Sequence, residues 1–111
     1  MQYIYNFNID TTEDVLKSLA ANMQQRRLEK GLSREALTEM SGVPTSTIAK
    51  FEQKHTISLA SYVALAQSLG YTQSIKELLA KPLFKTMEEL DIINRNKNRK
   101  RGRHETSSRR M

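Results

Sequence analysis

The sequence predicts an all-α fold of about five helices, with room for a short N-terminal strand and a basic, disordered C-terminal tail. Three observations carry this. Apolar residues recur at helical spacing from Val15 to Ile93. Ser, Thr, Gly and Pro interrupt that pattern where helices start and stop. Large apolar residues then cease from Asn94 until the terminal Met111. The 111 residues suffice for one compact domain plus a tail.

Tyr3, Ile4, Tyr5, Phe7 and Ile9 are rich in β-formers with partial alternation, which predicts the short strand. Thr11 or Thr12 caps a first helix that opens with Glu13 and Asp14 and carries Val15, Leu16, Leu19, Ala20 and Met23. Gly31 stops it. Ser33 caps a second helix from Arg34 to Met40 with Ala36, Leu37 and Met40 as its apolar positions, and Ser41-Gly42 breaks it. Pro44 is expected at the first position of a third helix, where its missing N–H costs nothing. That helix runs from about Thr45 to Gln53 with Ile48 and Phe51 turned inward, and Lys54 to Ile57 read as a loop. Ser58 caps a fourth helix with Leu59, Tyr62, Val63, Leu65, Ala66 and Leu69, stopped by Gly70. A fifth spans Ser74 to Ala80. Beyond Pro82, residues Leu83, Phe84, Met87, Leu90 and Ile93 form a last amphipathic segment. From Asn94 the chain has too little apolar surface to offset an ordering entropy of about 1–2 kcal/mol per residue.

Four regions follow: an N-terminal extension (1–12), a core domain (13–81), an amphipathic extension (82–93) and the tail (94–111). The net charge of +6 is unevenly spread. Residues 94–111 hold eight Lys/Arg against Glu105 alone, whereas residues 1–93 sum to −1. The high isoelectric point thus describes a near-neutral body with a basic tail. Cysteine is absent, which excludes disulfides and Cys-based zinc sites and fits a reducing cytoplasm. No apolar run approaches the ~20 residues of a membrane span. Met1 to Asn6 lacks the basic-then-apolar order of a signal peptide. His55 and His104 are isolated, and Glu88, Glu89 and Asp91 sit on the outside of an amphipathic segment. No metal spacing, Gly-rich phosphate loop or nucleophile motif appears, so neither an enzyme nor a cofactor is expected. The five Met residues are expected as core filling and termini.

The informative stretch is Leu32-Ser33-Arg34-Glu35-Ala36-Leu37-Thr38-Glu39-Met40-Ser41-Gly42-Val43-Pro44-Thr45-Ser46-Thr47-Ile48-Ala49-Lys50-Phe51-Glu52. Two short helices meet at a tight turn. The second has an apolar inner face and a small, polar outer face, which lets it approach base edges in a major groove about 12 Å wide. Over about residues 15–80 the chain resembles the Xre family of lambda-repressor-like helix-turn-helix domains. Ser58-Leu59-Ala60 and Ala64-Leu65-Ala66-Gln67-Ser68-Leu69-Gly70 are similar to that family's fourth helix. The resemblance implies that Thr45, Ser46, Ala49 and Lys50 face base edges, and that Thr47 and Lys54 contact phosphates. Arg34 stands where the family usually has Gln; it keeps a phosphate contact but departs from the usual bridge to a neighbouring recognition residue. Arg27 and Glu52 match a structural ion pair. The bland alternative for Thr45, Ser46 and Lys50 is a solvated helix face, and for Arg34 and Lys54 it is solubility.

Family likeness also implies double-stranded operator DNA as ligand, a homodimer reading half-sites about 34–36 Å apart, and a cytoplasmic, nucleoid-associated protein. Ile75, Leu78, Leu79, Leu83, Phe84 and Met87 exceed what a four-helix core needs. They belong either to a dimer interface or to the intrachain core. Two roles stay open: a HipB-type antitoxin that represses its own operon and pairs with a HipA-like kinase toxin, suggested by the extension–domain–extension layout, and a stand-alone or phage-type repressor. Residues 17–54 carry a net charge of only +3, which keeps a third reading, a protein-interaction module with vestigial DNA binding. The tail adds non-specific DNA affinity, solubilises, or meets an acidic groove on a partner.

Overall fold

The computed structural model describes residues 9–100, and these contain six helices and no strand. The strand expected over Tyr3 to Ile9 falls almost wholly on residues outside that range. The chain divides into two compact units, one ending at Lys76 and one beginning at Glu77.

In the first unit, α1 is Thr12–Glu29, α2 Arg34–Ser41, α3 Thr45–Lys54 and α4 Leu59–Ser68, and α5, Thr72–Glu77, closes it with its last residue at the boundary. Side-chain caps set the starts. At α1, Thr11 Oγ1 accepts from the Asp14 amide and the Asp14 carboxylate accepts from the Thr11 amide, both at 3.0 Å. This reciprocal box satisfies two of the amide donors that a helix start leaves unpaired. Hydrogen bonding from the Thr11 backbone amide and then from its side chain, with Lys17 nearby, holds the Asp14 carboxyl below its ordinary pKa. Ser33 Oγ accepts from the Ala36 amide at 3.0 Å and Ser58 Oγ from the Ser61 amide at 3.1 Å.

Packing is concentrated in one core. Ala20 and Met23 of α1, Leu37 of α2, Val43 of the turn, Ile48 and Phe51 of α3, and Leu65, Ala66 and Leu69 at α4 are all buried. Leu19, Leu32, Ile57, Tyr62, Ala64 and Ile75 pack around them. The Phe51 and Tyr62 rings meet edge-to-face at 5.7 Å and 82°, a favoured aromatic geometry, and burial raises the Tyr62 pKa. Ile75 thus belongs to the intrachain core.

Several expectations are corrected. Pro44 is the N-cap of α3 and not its first helical residue: its ψ is 145°, and its carbonyl accepts from the Thr47 and Ile48 amides. The short turn must sink Val43 into the core and also swing the chain round, and an extended Pro44 completes that swing. Met40 is exposed because Leu37 alone points its eight-residue helix into the core. Met87 is exposed too, so of the Met residues described only Met23 fills core. Lys54 is helical, and α3 ends at His55, in the left-handed region at φ 67°. The fifth helix starts earlier and stops at Glu77.

In the second unit, α6 covers Met87–Asn96 behind an N-cap Thr86, whose hydroxyl accepts from the Glu89 amide at 3.1 Å. The helix runs three residues past the expected end at Ile93, with the Asn96 side chain donating to the Ile92 carbonyl at 3.0 Å. None of residues 77–100 is buried. Residues 101–111, most of the expected tail, lie outside the described residues. No helix among the described residues is long and apolar enough to cross a membrane.

Candidate nucleic-acid interface

The turn between α2 and α3 is fixed by its own bonds. Gly42 takes a left-handed φ of 80° that a side chain would strain, and its amide donates to the Thr38 carbonyl at 2.8 Å. The Ser41 hydroxyl donates to the Leu37 carbonyl at 2.7 Å and accepts from the Val43 amide at 3.1 Å. Thr38 and Thr45 share a hydroxyl–hydroxyl bond of 2.9 Å, which ties α2 to the first turn of α3. Together these leave α3 little freedom to rotate against α2.

With Ile48 and Phe51 buried, the opposite side of α3 faces outward. Ser46 and Lys50 are exposed, while Thr45, Thr47 and Ala49 are half-buried. Positions 45, 46, 49 and 50 are neighbours at spacings of three and four, so they share one face. Thr45 is partly committed to Thr38. Thr47 and Lys50 meet Thr56, Ile57, Ser58 and Ser61 along a shallow open groove beside the start of α4. Lys54 does not join them. It lines a separate depression with Glu13, Asp14, Leu16, Lys17, His55 and Thr56.

Arg34 is held inward on one side. Its Nε donates to Glu52 Oε1 at 3.0 Å and its Nη2 lies 2.9 Å from the same oxygen. Arg27 reaches Glu52 through Nε at 2.8 Å to Oε2 and Nη2 at 3.0 Å to Oε1, and its Nη1 donates to the Leu32 carbonyl at 2.8 Å. Gln24 adds a bond of 3.3 Å to Oε1. Glu52, on α3, is therefore a hub bonded to α1 and α2, and Arg27 carries the network on to the α1–α2 loop. Sequence reading missed Gln24, Thr38 and the Arg34 arm of this hub. The i+3/i+4 rules that link neighbours on one helix carry no signal for pairs from different helices. Among the described residues no cluster of His, Cys, Asp or Glu is arranged to hold a metal ion.

The family model described as Helix-turn-helix matches residues 23–73. No curated protein matches the chain, and no solved structure does. The matched stretch begins in α1, takes in the whole of α2, α3 and α4, and ends in α5. Residues 23–73 therefore match a helix-turn-helix domain of the Xre, lambda-repressor-like kind, which supports a DNA-binding transcription regulator.

Proposed function

We propose that the protein is a sequence-specific regulator that lays α3 in the major groove of its operator. The observation that carries this reading is the outward face of α3: small and polar, backed by buried Ile48 and Phe51, and held in orientation by Thr38 and Gly42. Thr45, Ser46, Ala49 and Lys50 read base edges. Thr47, Lys54 and Arg34 contact phosphates, and Thr56, Ser58 and Ser61 extend the Thr47–Lys50 groove with hydroxyls suited to the same backbone. Arg27 and Glu52 are structural. The working domain spans residues 13–81, flanked by extensions at 1–12 and 82–93 and the tail from 94.

The protein acts as a homodimer through the second unit. There Leu78, Leu79, Leu83 and Met87 are 70–94% exposed, so the packing within their own unit does not account for them. The occupant is a second copy because α6 is self-complementary in charge. Glu88, Glu89 and Asp91 crowd its start, and Arg95, Lys97, Arg99 and Lys100 its end and exit. Antiparallel pairing sets each acidic end against a basic one, as an isologous contact requires. Met87→Lys with Leu83→Lys is expected to give monomers in light scattering; unchanged dimers would reject this interface.

The finer reading is an autoregulatory antitoxin of a HipA-like kinase toxin, working on nucleoid DNA in the cytoplasm. Its support is a helix-turn-helix domain with further chain on both sides of it. The alternative is a stand-alone repressor. Co-purification of a kinase encoded beside it favours the first, and a protein purified alone favours the second. DNA binding itself is tested by titrating the protein with its own upstream region and with random duplex across salt concentrations. A specific complex at least about a thousandfold tighter supports the regulator. Equal, weak binding to both supports an interaction module instead.

A further inference from the structure

One carboxylate stands between two guanidiniums. The Glu52 side chain is 1% exposed, that of Arg27 7% and that of Arg34 31%. Glu52 neutralises one of the two positive charges. The surplus does not rest on Arg27, which is buried and has all three nitrogens bonded. It is presented by Arg34, at the first turn of α2. Arg34 spends Nε and Nη2 on a single Glu52 oxygen, and its Nη1 has no bond to protein among the described residues. An arginine in this state is a planar fork with one edge clamped and one edge free. The free edge suits an anion with paired oxygens, such as a backbone phosphate.

We infer that Glu52 is a positioning residue for DNA binding. It orders the Arg34 guanidinium before DNA arrives, so that Arg34 clamps a phosphate without first losing its side-chain freedom. The inference rests on the DNA-binding reading. It differs in sign from what charge alone predicts. Neutralising Glu52 adds one unit of positive charge near the proposed DNA face, and simple electrostatics then demands tighter binding. Loss of positioning demands weaker binding.

The test uses the full chain and four variants, Glu52→Gln, Arg34→Gln, Arg34→Lys and the Arg34→Gln/Glu52→Gln double. Each is titrated with the protein's upstream region and random duplex over a salt series, with folding checked by circular dichroism. Arg34→Gln is expected to lower the slope of log K against log salt by about 0.9, the loss of one phosphate contact; a purely structural Arg34 leaves the slope unchanged and overturns the inference. Glu52→Gln is expected to weaken binding several-fold in the wild-type background and not to weaken it in the Arg34→Gln background. Binding as tight as wild type, or equal weakening in both backgrounds, overturns it. Should Glu52→Gln fail to fold, Arg34→Lys decides: it keeps the charge and loses the clamped fork, so affinity falls several-fold at an unchanged slope, and undiminished affinity overturns the inference. Wild-type protein that binds neither DNA overturns the DNA-binding reading before any variant is compared.

Discussion

Replacing Arg27 by Met separates the buried arm of the Glu52 hub from its more exposed arm, Arg34. Met keeps much of the apolar stem and removes the guanidinium. Glu52 then loses bonds of 2.8 and 3.0 Å, and the Leu32 carbonyl loses its 2.8 Å donor. Removing one partner of a buried pair typically costs about 3–5 kcal/mol, because the other charge stays buried without compensation. Here Arg34 and Gln24 remain on Oε1, and water can reach the half-buried Leu32. Both argue for the low end, about 3 kcal/mol. Arg34→Met leaves the Arg27 pair intact and removes a charge that is 31% exposed, so screening reduces its cost to about 1 kcal/mol. For a domain of this size about 3 kcal/mol lowers Tm by roughly 12–24 °C. Urea unfolding followed by circular dichroism at neutral pH, with the m-value constant between variants, measures both costs. A loss below about 1 kcal/mol for Arg27→Met, or equal losses for the two variants, would refute the assignment of Arg27 as the structural arm.

The remaining predictions use the same chain. Phe51→Ala empties the largest fully buried position and its edge contact with Tyr62; a cost of about 3–5 kcal/mol is expected in urea. Gly42→Ala meets nothing within 4 Å, so it costs only the left-handed backbone strain, about 1–2 kcal/mol, and a larger loss would reveal a steric role. Lys50→Ala should leave Tm unchanged and weaken operator binding by about 1–3 kcal/mol if Lys50 reads a base; an equal loss on random duplex would assign it to phosphate. Because the Asp14 pKa is lowered in the fold, its contribution is complete above the ordinary carboxyl pKa and is lost as pH falls through the folded value. The stability gap between wild type and Asp14→Asn should therefore be constant above about pH 5 and close below about pH 4; a gap that widens on acidification would refute the sign.

Local chemistry made the first four helices legible. Thr11, Ser33 and Ser58 are caps whose bonds are made within three residues, and Gly42 is the left-handed stop its position suggests. Where the fold departs from the reading, a tertiary demand overrides a local rule. Pro44 suits a first helical position, yet burial of Val43 holds it extended. His55 ends α3 in the left-handed region without a glycine, which His tolerates better than most side chains. Met40 has the spacing of a core residue, yet Leu37 is the one residue that α2 buries. For the site, the face formed by Thr45, Ser46, Ala49 and Lys50 follows from helical periodicity. The allegiance of Arg34 does not, because Glu52 lies 18 positions away and meets it only after the turn has closed.

The two units place different demands on the chain. The first closes its own core with nine buried hydrophobic residues, and no exposed apolar patch is needed to explain it. No residue of 77–100 is fully buried, Leu90 and Ile93 being half-buried, and a helix as short as α6 is marginal in water unless an amphipathic face is packed. Its order therefore depends on cover from outside its own unit, which on the homodimer reading is a second copy. Helicity of α6 and self-association then become one equilibrium, and the second half-site is engaged only where that equilibrium lies toward the pair. Protein concentration would set both, so operator occupancy should rise more steeply than a single independent site permits.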